Sequence, residues 1–396
     1  LAFAEKRGKT WRARWPLPGL SPEGKVRFDS KSGFPTKTAA KRYGEAQEAA
    51  VRERRWIDPA AGQITLDDYL AKWFPVQELA LRTREKYEGY QRNHLTPRWG
   101  NTALADIDPL DVDEFEKSLK AKLADSTVDG IMGLLRMALA DAVFDKRISA
   151  SPVRPSRRRR GKREQSEARV GIAVQLEVVE QVRRRLPASE ALMILIAAFT
   201  GMRWGELIGM RRRYLVLMPD APGAPAGYVT IDRKDGAVHE DKRGGRYLGA
   251  PKGGKGRTVE LPPFLVMLLA AYLESLPVAQ EFLFPDREGG HWRRSNFNRR
   301  LWRPACDGWA ARRTARGHAA REAAAPVVRG LRVHDMRHTQ ETWLMEDGVE
   351  KIARDERLGH KTPGMEGTYG HATAAMRADI LKVLQSRWER YWALVE

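Results

Sequence analysis

Six residues in the second half of the chain are of types that together could move a phosphoryl group. Arg203 stands in "TGMRWGEL", Lys252 in "APKGGKG", and His334 and Arg337 in "VHDMRHT". His360 closes "RLGH", and Tyr369 follows nine positions later in "GMEGTYGH". Two guanidinium groups can grip two equatorial oxygens of a phosphate and stabilise the charge that builds there. Histidines can donate a hydrogen bond or carry a proton. A tyrosine hydroxyl can attack phosphorus and hold it covalently, and a lysine can protonate the departing oxygen. No carboxylate cluster suited to magnesium accompanies the set. The chemistry expected is therefore metal-free phosphoryl transfer without a cofactor.

Taken singly, each piece has a plainer reading. Glu206, three residues after Arg203, shares its helical face and would hold the guanidinium rigid; at a surface the same spacing is an ordinary ion pair. His334 and His338 form an HxxxH pair, the spacing of a zinc helix. A metalloprotease helix carries Glu directly after the first His and no cation between the ligands. Here Asp335 follows and Arg337 intervenes, so zinc is disfavoured. Cys306 is the only cysteine, which excludes a cysteine-based zinc site and an intramolecular disulfide and suits a reducing cytoplasm. Lys252 lies in a glycine-flexible turn, where Lys255 could reach the same space. His360 alone could cap a helix, and Tyr369 alone could be a half-buried core residue.

The elements that must position these groups are legible in outline. "ALMILIAAF" (191–199) suits a buried helix within 189–199, preceded by helix "LEVVEQVRRRL". Gly201 ends it with a sharp turn, so that Arg203 opens the next helix. "GYVTID" (227–232) and "RTVELP" (257–262) read as strands of a small antiparallel sheet whose glycine-rich connection carries Lys252. Helices are expected at 263–276, at 295–303 and beyond 337. "WAARRTARGHAAREAAAPVVRG" reads as helix and loop, without an assigned function.

Upstream, "TWRARWP" alternates in the period of a two-faced strand and "KVRFDS" is a second strand, with turns at Pro16, Pro18, Gly19 and Gly24. A helix follows, capped by Thr36 or Thr38. One face of this sheet would carry Arg12, Arg14 and Arg27, either as a solvated basic face or as a ribbon for the DNA major groove. "DPAAGQ" (58–63) looks like a linker. Residues 64–153 read as an all-helical domain opened by Thr65 and Asp68 in capping-box spacing and broken at Pro97, Gly100 and Pro109. Its Ser126 and Thr127 stand at a helix start, where they could cap and could also donate to phosphates. The run 154–169, with Arg157, Arg158, Arg159 and Arg160, has too many like charges to pack and reads as an exposed linker.

Charge distribution names the partner class. The 396-residue chain carries +19 net charge. Residues 1–57 hold 14 Lys/Arg against 6 Asp/Glu and residues 154–169 hold 8 against 2, whereas 64–153 hold 12 against 15. Positive charge gathered at separate points suits a protein gripping a long polyanion, and double-stranded DNA is the expected one. No run of 18 apolar residues indicates a membrane span.

The ordered set Arg, Lys, His-x-x-Arg, Gly-His, Tyr over 170–385 resembles the catalytic set of the tyrosine recombinases, the phage-type integrase family. The resemblance assigns Arg203 as the first arginine, Lys252 as the β-turn lysine, His334 and Arg337 as the His-x-x-Arg pair, His360 as the second histidine and Tyr369 as nucleophile. It extends upstream: "SGFPTKTAAKRYGEAQEA" is similar to the family's arm-binding module, and 64–153 to its helical core-binding domain. The departures are "SPV" where Asn-Pro is more usual, glycine-rich "PGMEGTYGH", and an expanded 306–330. The fold class implied is multidomain, mainly α with small β-sheets. It comprises a sheet-plus-helix module at 1–57, a core-binding domain at 64–153, a linker at 154–169 and an α+β catalytic domain at 170–396. The activity implied is site-specific recombination of DNA attachment sites through a 3′-phosphotyrosine, by a homotetramer on DNA. It would act in the cytoplasm at the nucleoid, helped by an excisionase and a DNA-bending host factor. A type IB topoisomerase-like enzyme and a catalytically inactive DNA-binding regulator are the alternatives.

Overall fold

The computed structural model describes residues 1–20, 23–53, 56–154, 171–217, 226–241, 243–314, 320–360 and 371–395. The chain divides into two compact units, Leu1–Ser166 and Glu167–Glu396.

The first unit holds two separate apolar clusters. One is small and belongs to a three-stranded antiparallel sheet, Phe3–Arg7, Thr10–Leu20 and Val26–Phe34, backed by the helix Lys37–Arg52. Trp15 packs edge-on to Tyr43 of that helix at 5.7 Å, and Thr36 caps it by accepting from the Ala39 amide. The strand "TWRARWP" does not stop at Pro16. It runs on through Pro18 and Gly19 to Leu20, and the register slips between Pro16 and Leu20. A shifted ladder can absorb prolines that lack an N–H. The second cluster joins the helices Leu66–Val76, Pro109–Lys120 and Asp125–Phe144 with the helical run 81–99. Thr65 caps the first of these by accepting from the Asp68 amide. Pro97 does not break its helix, because it follows a π turn at Gln91–Leu95. "DPAAGQ" is no open linker. Pro59–Gln63 forms a 3₁₀ turn capped by Asp58, and Gly62 lies so close to Ala105 and the Arg147 carbonyl that a Cβ would meet both at 2.9 Å.

The second unit is built around the helix Ala188–Thr200, buried at every residue from Glu190 to Thr200. Phe199, near its end, meets Phe264 at 4.8 Å and Trp343 at 5.3 Å. These rings belong to the helices Pro263–Ser275 and Asp335–Glu346, and the long helix Ala374–Val395 adds Trp388 to the group. The segment before 176 straps across Asp335–Glu346: the Val174 amide donates to Thr339 and the Trp343 indole donates to the Val174 carbonyl. The strands Gly227–Ile231 and Arg257–Glu260 pair antiparallel as the sequence suggests, with Leu215–Leu217 on the far side of Gly227–Ile231. Their connection is more than a glycine turn, since it contains a second hairpin of Ala237–Glu240 and Arg246–Gly249. Residues 308–314 and 320–325 are not helical either; they form the two arms of an antiparallel ribbon stem.

Gly201 is one of the tight points of this unit. Its φ is +62°, and a Cβ there would lie 2.2 Å from Gln340 Oε1 and 2.3 Å from Leu358 Cδ2. Gly201→Ala should therefore cost about 1–3 kcal/mol and lower the melting temperature by several degrees. Gly133, within the helix Asp125–Phe144, has nothing within 4 Å of its Cβ position, so Gly133→Ala should stabilise by roughly 0.5–1 kcal/mol. Equal melting temperatures for the two variants in a thermal scan would refute the steric argument.

Candidate active site

Two helices end in left-handed glycines: Ala188–Thr200 at Gly201, and Lys351–Leu358 at Gly359 with φ +66°. Such ends leave carbonyls without helical partners. Arg337 binds both ends. Its Nη1 donates to the Gly201 carbonyl at 2.8 Å and its Nη2 to the Leu358 carbonyl. Arg203 donates from Nη2 to the next carbonyl, Gly359, at 3.1 Å. The two arginines are thus held on adjacent peptide groups, and His360 is the residue that follows. Each guanidinium has five N–H donors, so each keeps donors beyond those spent on the scaffold.

Glu206 organises the cations around it. The Arg203 amide donates to its Oε2 at 2.9 Å, and the Arg203 Nη1 to its Oε1 at 3.0 Å. Arg257 adds a fork, Nη1 to Oε1 at 3.0 Å and Nη2 to Oε2 at 2.7 Å. Burial alone would push the Glu206 carboxyl up; Arg257, with Arg203, overrides it and holds the group below the usual carboxylate range. Glu206 is therefore a buried anion, not a surface partner. Arg257 also donates to the Arg357 carbonyl at 2.9 Å, and Arg357 in turn to the carbonyls of Phe199 and Glu260. Sequence reasoning missed Arg257 and Arg357. The one available signal for Arg257 was chemical: a carboxylate amid so many cations would gather more than one.

His334 directly precedes the helix Asp335–Glu346, without a side-chain capping bond, and stands edge-on to His338 at 5.3 Å. Burial, then His338, Arg337 and Arg294, push its imidazole down to about 4. His360 is depressed as well, by burial first and by Arg337 second, although its Nδ1 lies 3.5 Å from Asp355. Burial, with Arg203 and Arg257, pushes Arg337 itself down to about 9, so it stays charged at neutral pH. The result is a cationic pocket edged by neutral imidazoles. His338 packs over the Gly171 backbone, where a Cβ would meet its ring at 2.2 Å. Among the described residues, no group of three or more His, Cys, Asp or Glu side chains gathers as metal ligands do.

Arg203, Glu206 and Arg337 therefore share one scaffold, with His360 directly after Gly359 and His334 one turn before Arg337, whose amide donates to the His334 carbonyl. Lys252 is not in it: the lysine stands exposed on the turn closed by Gly254 N–H to the Pro251 carbonyl, as does Lys255. Tyr369 lies outside the described residues, as do Arg157, Arg158, Arg159 and Arg160. In the N-terminal sheet Arg12 is paired to Glu5, and the Arg14 guanidinium lies 5.6 Å from the Phe3 ring and 5.3 Å from the Phe28 ring. Arg27 does not share their face. The register pairs Asp29 with Trp15 and Ser30 with Arg14, so Arg27, two residues before Asp29, has the parity of Trp15. Ser126 and Thr127 are not caps: Ala124 is the N-cap of Asp125–Phe144, with no side-chain cap bond.

The depressed histidine carries a testable sign. Between the folded value near 4 and the ordinary value near 6.5, the unfolded chain binds the His334 proton and the folded chain does not. This contribution to stability is complete above pH 6.5 and is lost as pH falls toward 4. Thermal melts of the parent should show that decline, and His334→Asn should reduce it. An unchanged pH slope in the variant would contradict the buried, neutral imidazole.

Comparison with known proteins places this geometry. Residues 65–120 match the family model described as phage integrase, N-terminal SAM-like domain. A protein named as putative prophage phiRv2 integrase, from Mycobacterium tuberculosis (strain CDC 1551 / Oshkosh), is 24% identical over 94% of this chain and 92% of its own. The Tn1549 transposon integrase in complex with a circular intermediate DNA shares the fold, with a TM-score of 0.59, 18% identity, and coverage of 81% of this chain and 99% of that one. The lambda integrase tetramer bound to a Holliday junction matches with a TM-score of 0.53, 13% identity, and coverage of 92% and 97%. Over residues 65–120 and along nine-tenths of its length the chain is thus similar to phage integrases, and its fold is that of the solved Tn1549 and lambda integrases.

Proposed function

We propose that this protein is a site-specific DNA recombinase, an integrase that cuts and rejoins strands through a 3′-phosphotyrosine and so integrates or excises a mobile element. The observation that carries this reading is the convergence of Arg203 and Arg337 on the adjacent carbonyls of Gly359 and Leu358, directly before His360. The scissile phosphate sits on the donors that the two guanidiniums retain. Neutral His334 and His360 donate hydrogen bonds to its oxygens, and Arg257 with Glu206 keeps Arg203 in place.

Tyr369 lies nine residues after His360 and three before Ala372, whose amide is bound to Glu356 Oε2 at 2.9 Å. Arg377 also binds Glu356, at 3.1 Å. Ala372 and Arg377 are thus tied to the last turns of Lys351–Leu358, the helix that leads into His360. In the reaction the Tyr369 oxygen bonds to phosphorus as the P–O5′ bond breaks, and Lys252 gives a proton to the leaving 5′-oxygen. A 5′-hydroxyl of a second strand then attacks phosphorus, and the tyrosine leaves. The P–O bond count is conserved, so neither ATP nor a cofactor is required.

Two duplexes and four strand cuts call for a homotetramer on attachment-site DNA, as in the lambda integrase tetramer bound to a Holliday junction. Residues 1–57 serve as an arm-binding module presenting Arg12 and Arg14 on one face of the sheet, with Arg27 on the other. Residues 64–153 serve as the core-binding domain, with Ser126 and Thr127 at phosphates, and Arg157 to Arg160 lie along the backbone. An excisionase and a DNA-bending host factor complete the machinery, which acts at the nucleoid.

Incubation with nicked attachment-site DNA tests the chemistry. The parent should accumulate a covalent protein–DNA adduct, and Tyr369→Phe should bind the same DNA yet form none. Normal adduct formation by the variant would remove Tyr369 from this role.

The general acid is separable by leaving-group chemistry. Lys252→Ala should slow cleavage of ordinary DNA by about 10²–10⁴-fold, yet cleave DNA with sulfur at the 5′-bridging position nearly as well as the parent, because a thiolate leaves without a proton. Sulfur rescue of Lys255→Ala and not of Lys252→Ala would reverse the assignment, and rescue of neither would move the acid to His334.

A further inference from the structure

The stretch 306–330 is unused by the mechanism above. It leaves the core at Cys306, whose carbonyl accepts from Val327 at 2.9 Å and Val328 at 3.1 Å, so the excursion departs and returns at one point. Gly308 makes the crossing possible, since a Cβ there would sit 2.2 Å from the Ala324 carbonyl oxygen. Beyond it the two arms form a ladder. Trp309 and Ala324 exchange hydrogen bonds of 3.0 and 2.9 Å, and Arg312 and Arg321 exchange bonds of 2.7 and 2.8 Å. Arg185 clamps the base by donating to the carbonyls of Ala305 and Ala325 and lies 5.5 Å from the Trp309 ring centroid, while Arg321 lies 4.5 Å from it.

This ribbon is well tied at its base and buries almost nothing beyond it. Ala310, Ala311, Ala320 and Ala323 are exposed, and so are Arg312, Arg313 and Arg321. Arg312 and Arg321 pair through their backbones across the ladder, and the Arg321 guanidinium lies over the Trp309 ring. The small alanines let a polyanion approach the backbone. The ribbon returns to the core through Val327 and Leu331, the latter held by the Trp302 indole at 2.9 Å, only three residues before His334. A two-stranded ribbon is also a shape that a DNA groove admits.

We infer that the arginine ribbon formed by 309–314 and 320–324 is a DNA-backbone contact outside the catalytic pocket, with Arg312, Arg313 and Arg321 each neutralising a phosphate. The inference rests on the proposed action on DNA and adds a surface to it. The contact is independent of base sequence, and its signature is salt dependence. Three phosphate contacts contribute about 2.7 to the slope of log affinity against log salt. Over a fourfold rise in salt that amounts to about a 40-fold greater loss of affinity in the parent than in a chain without the contacts.

The test measures binding of the full chain to a long random-sequence DNA duplex at several salt concentrations. The triple variant Arg312→Gln, Arg313→Gln, Arg321→Gln should show the shallower slope. It should still form the covalent adduct on nicked attachment-site DNA at saturating protein. The triple Arg→Lys variant should restore the slope, which separates lost charge from a ribbon loosened by loss of the Trp309 stack. Equal slopes for parent and Gln variant, with adduct formation intact, would overturn the ribbon contact and leave the recombinase reading standing. An unchanged slope with altered self-association in sedimentation would assign the ribbon to a protein interface instead. Failure of the parent to bind any duplex would overturn both readings.

Discussion

The carbonyls at the end of the buried helix Ala188–Thr200 are the constraint around which the second unit is arranged. A helix buried on all sides must satisfy its last carbonyls from within the protein. Here the Phe199 carbonyl accepts from Gln340 and Arg357, and the Gly201 carbonyl accepts from Arg337. The donors come from Asp335–Glu346 and Lys351–Leu358, so meeting the helix end also brings those two helices together. Removing the glycine, or the space it leaves for Gln340 and Leu358, would separate the elements that carry His334, Arg337 and His360.

The same arrangement accounts for how several arginines are held near one another under low exposure. One carboxylate, Glu206, faces Arg203 and Arg257, whereas the Arg337 guanidinium donates to backbone carbonyls. The counter-charge for Arg337 is the negative end of two helix dipoles, delivered by the carbonyls of Gly201 and Leu358. A carbonyl orients a guanidinium without neutralising it. The site therefore keeps a net positive field and unspent donors, which is what an incoming phosphodiester needs. The neighbouring imidazoles are held neutral by burial and by that field, so they serve as hydrogen-bond donors that do not add repulsion among the cations.

By itself the sequence determined which chemistry was on offer and which elements carry it. The apolar run 191–199, the turn at Gly201, the Thr65 cap and the strands expected at 227–232 and 257–262 follow local rules of periodicity and capping, and the structure agrees with them within a residue or two. The set Arg203, His334, Arg337 and His360 was legible because each belongs to a short motif. Tertiary structure decided what no local rule encodes. Arg257 and Arg357 became part of the network because a buried Glu206 and an unpartnered Phe199 carbonyl required donors from distant strands and helices. Arg27 left the face of Arg12 and Arg14 because register, set by pairing with Trp15 and Arg14, fixes which side a residue takes. Residues 308–314 and 320–325, rich in helix-favouring alanine, became the arms of a ribbon because their ends are fixed together at Cys306 and Gly308, and chain closure across the stem outweighs the small preference of each alanine for a helix.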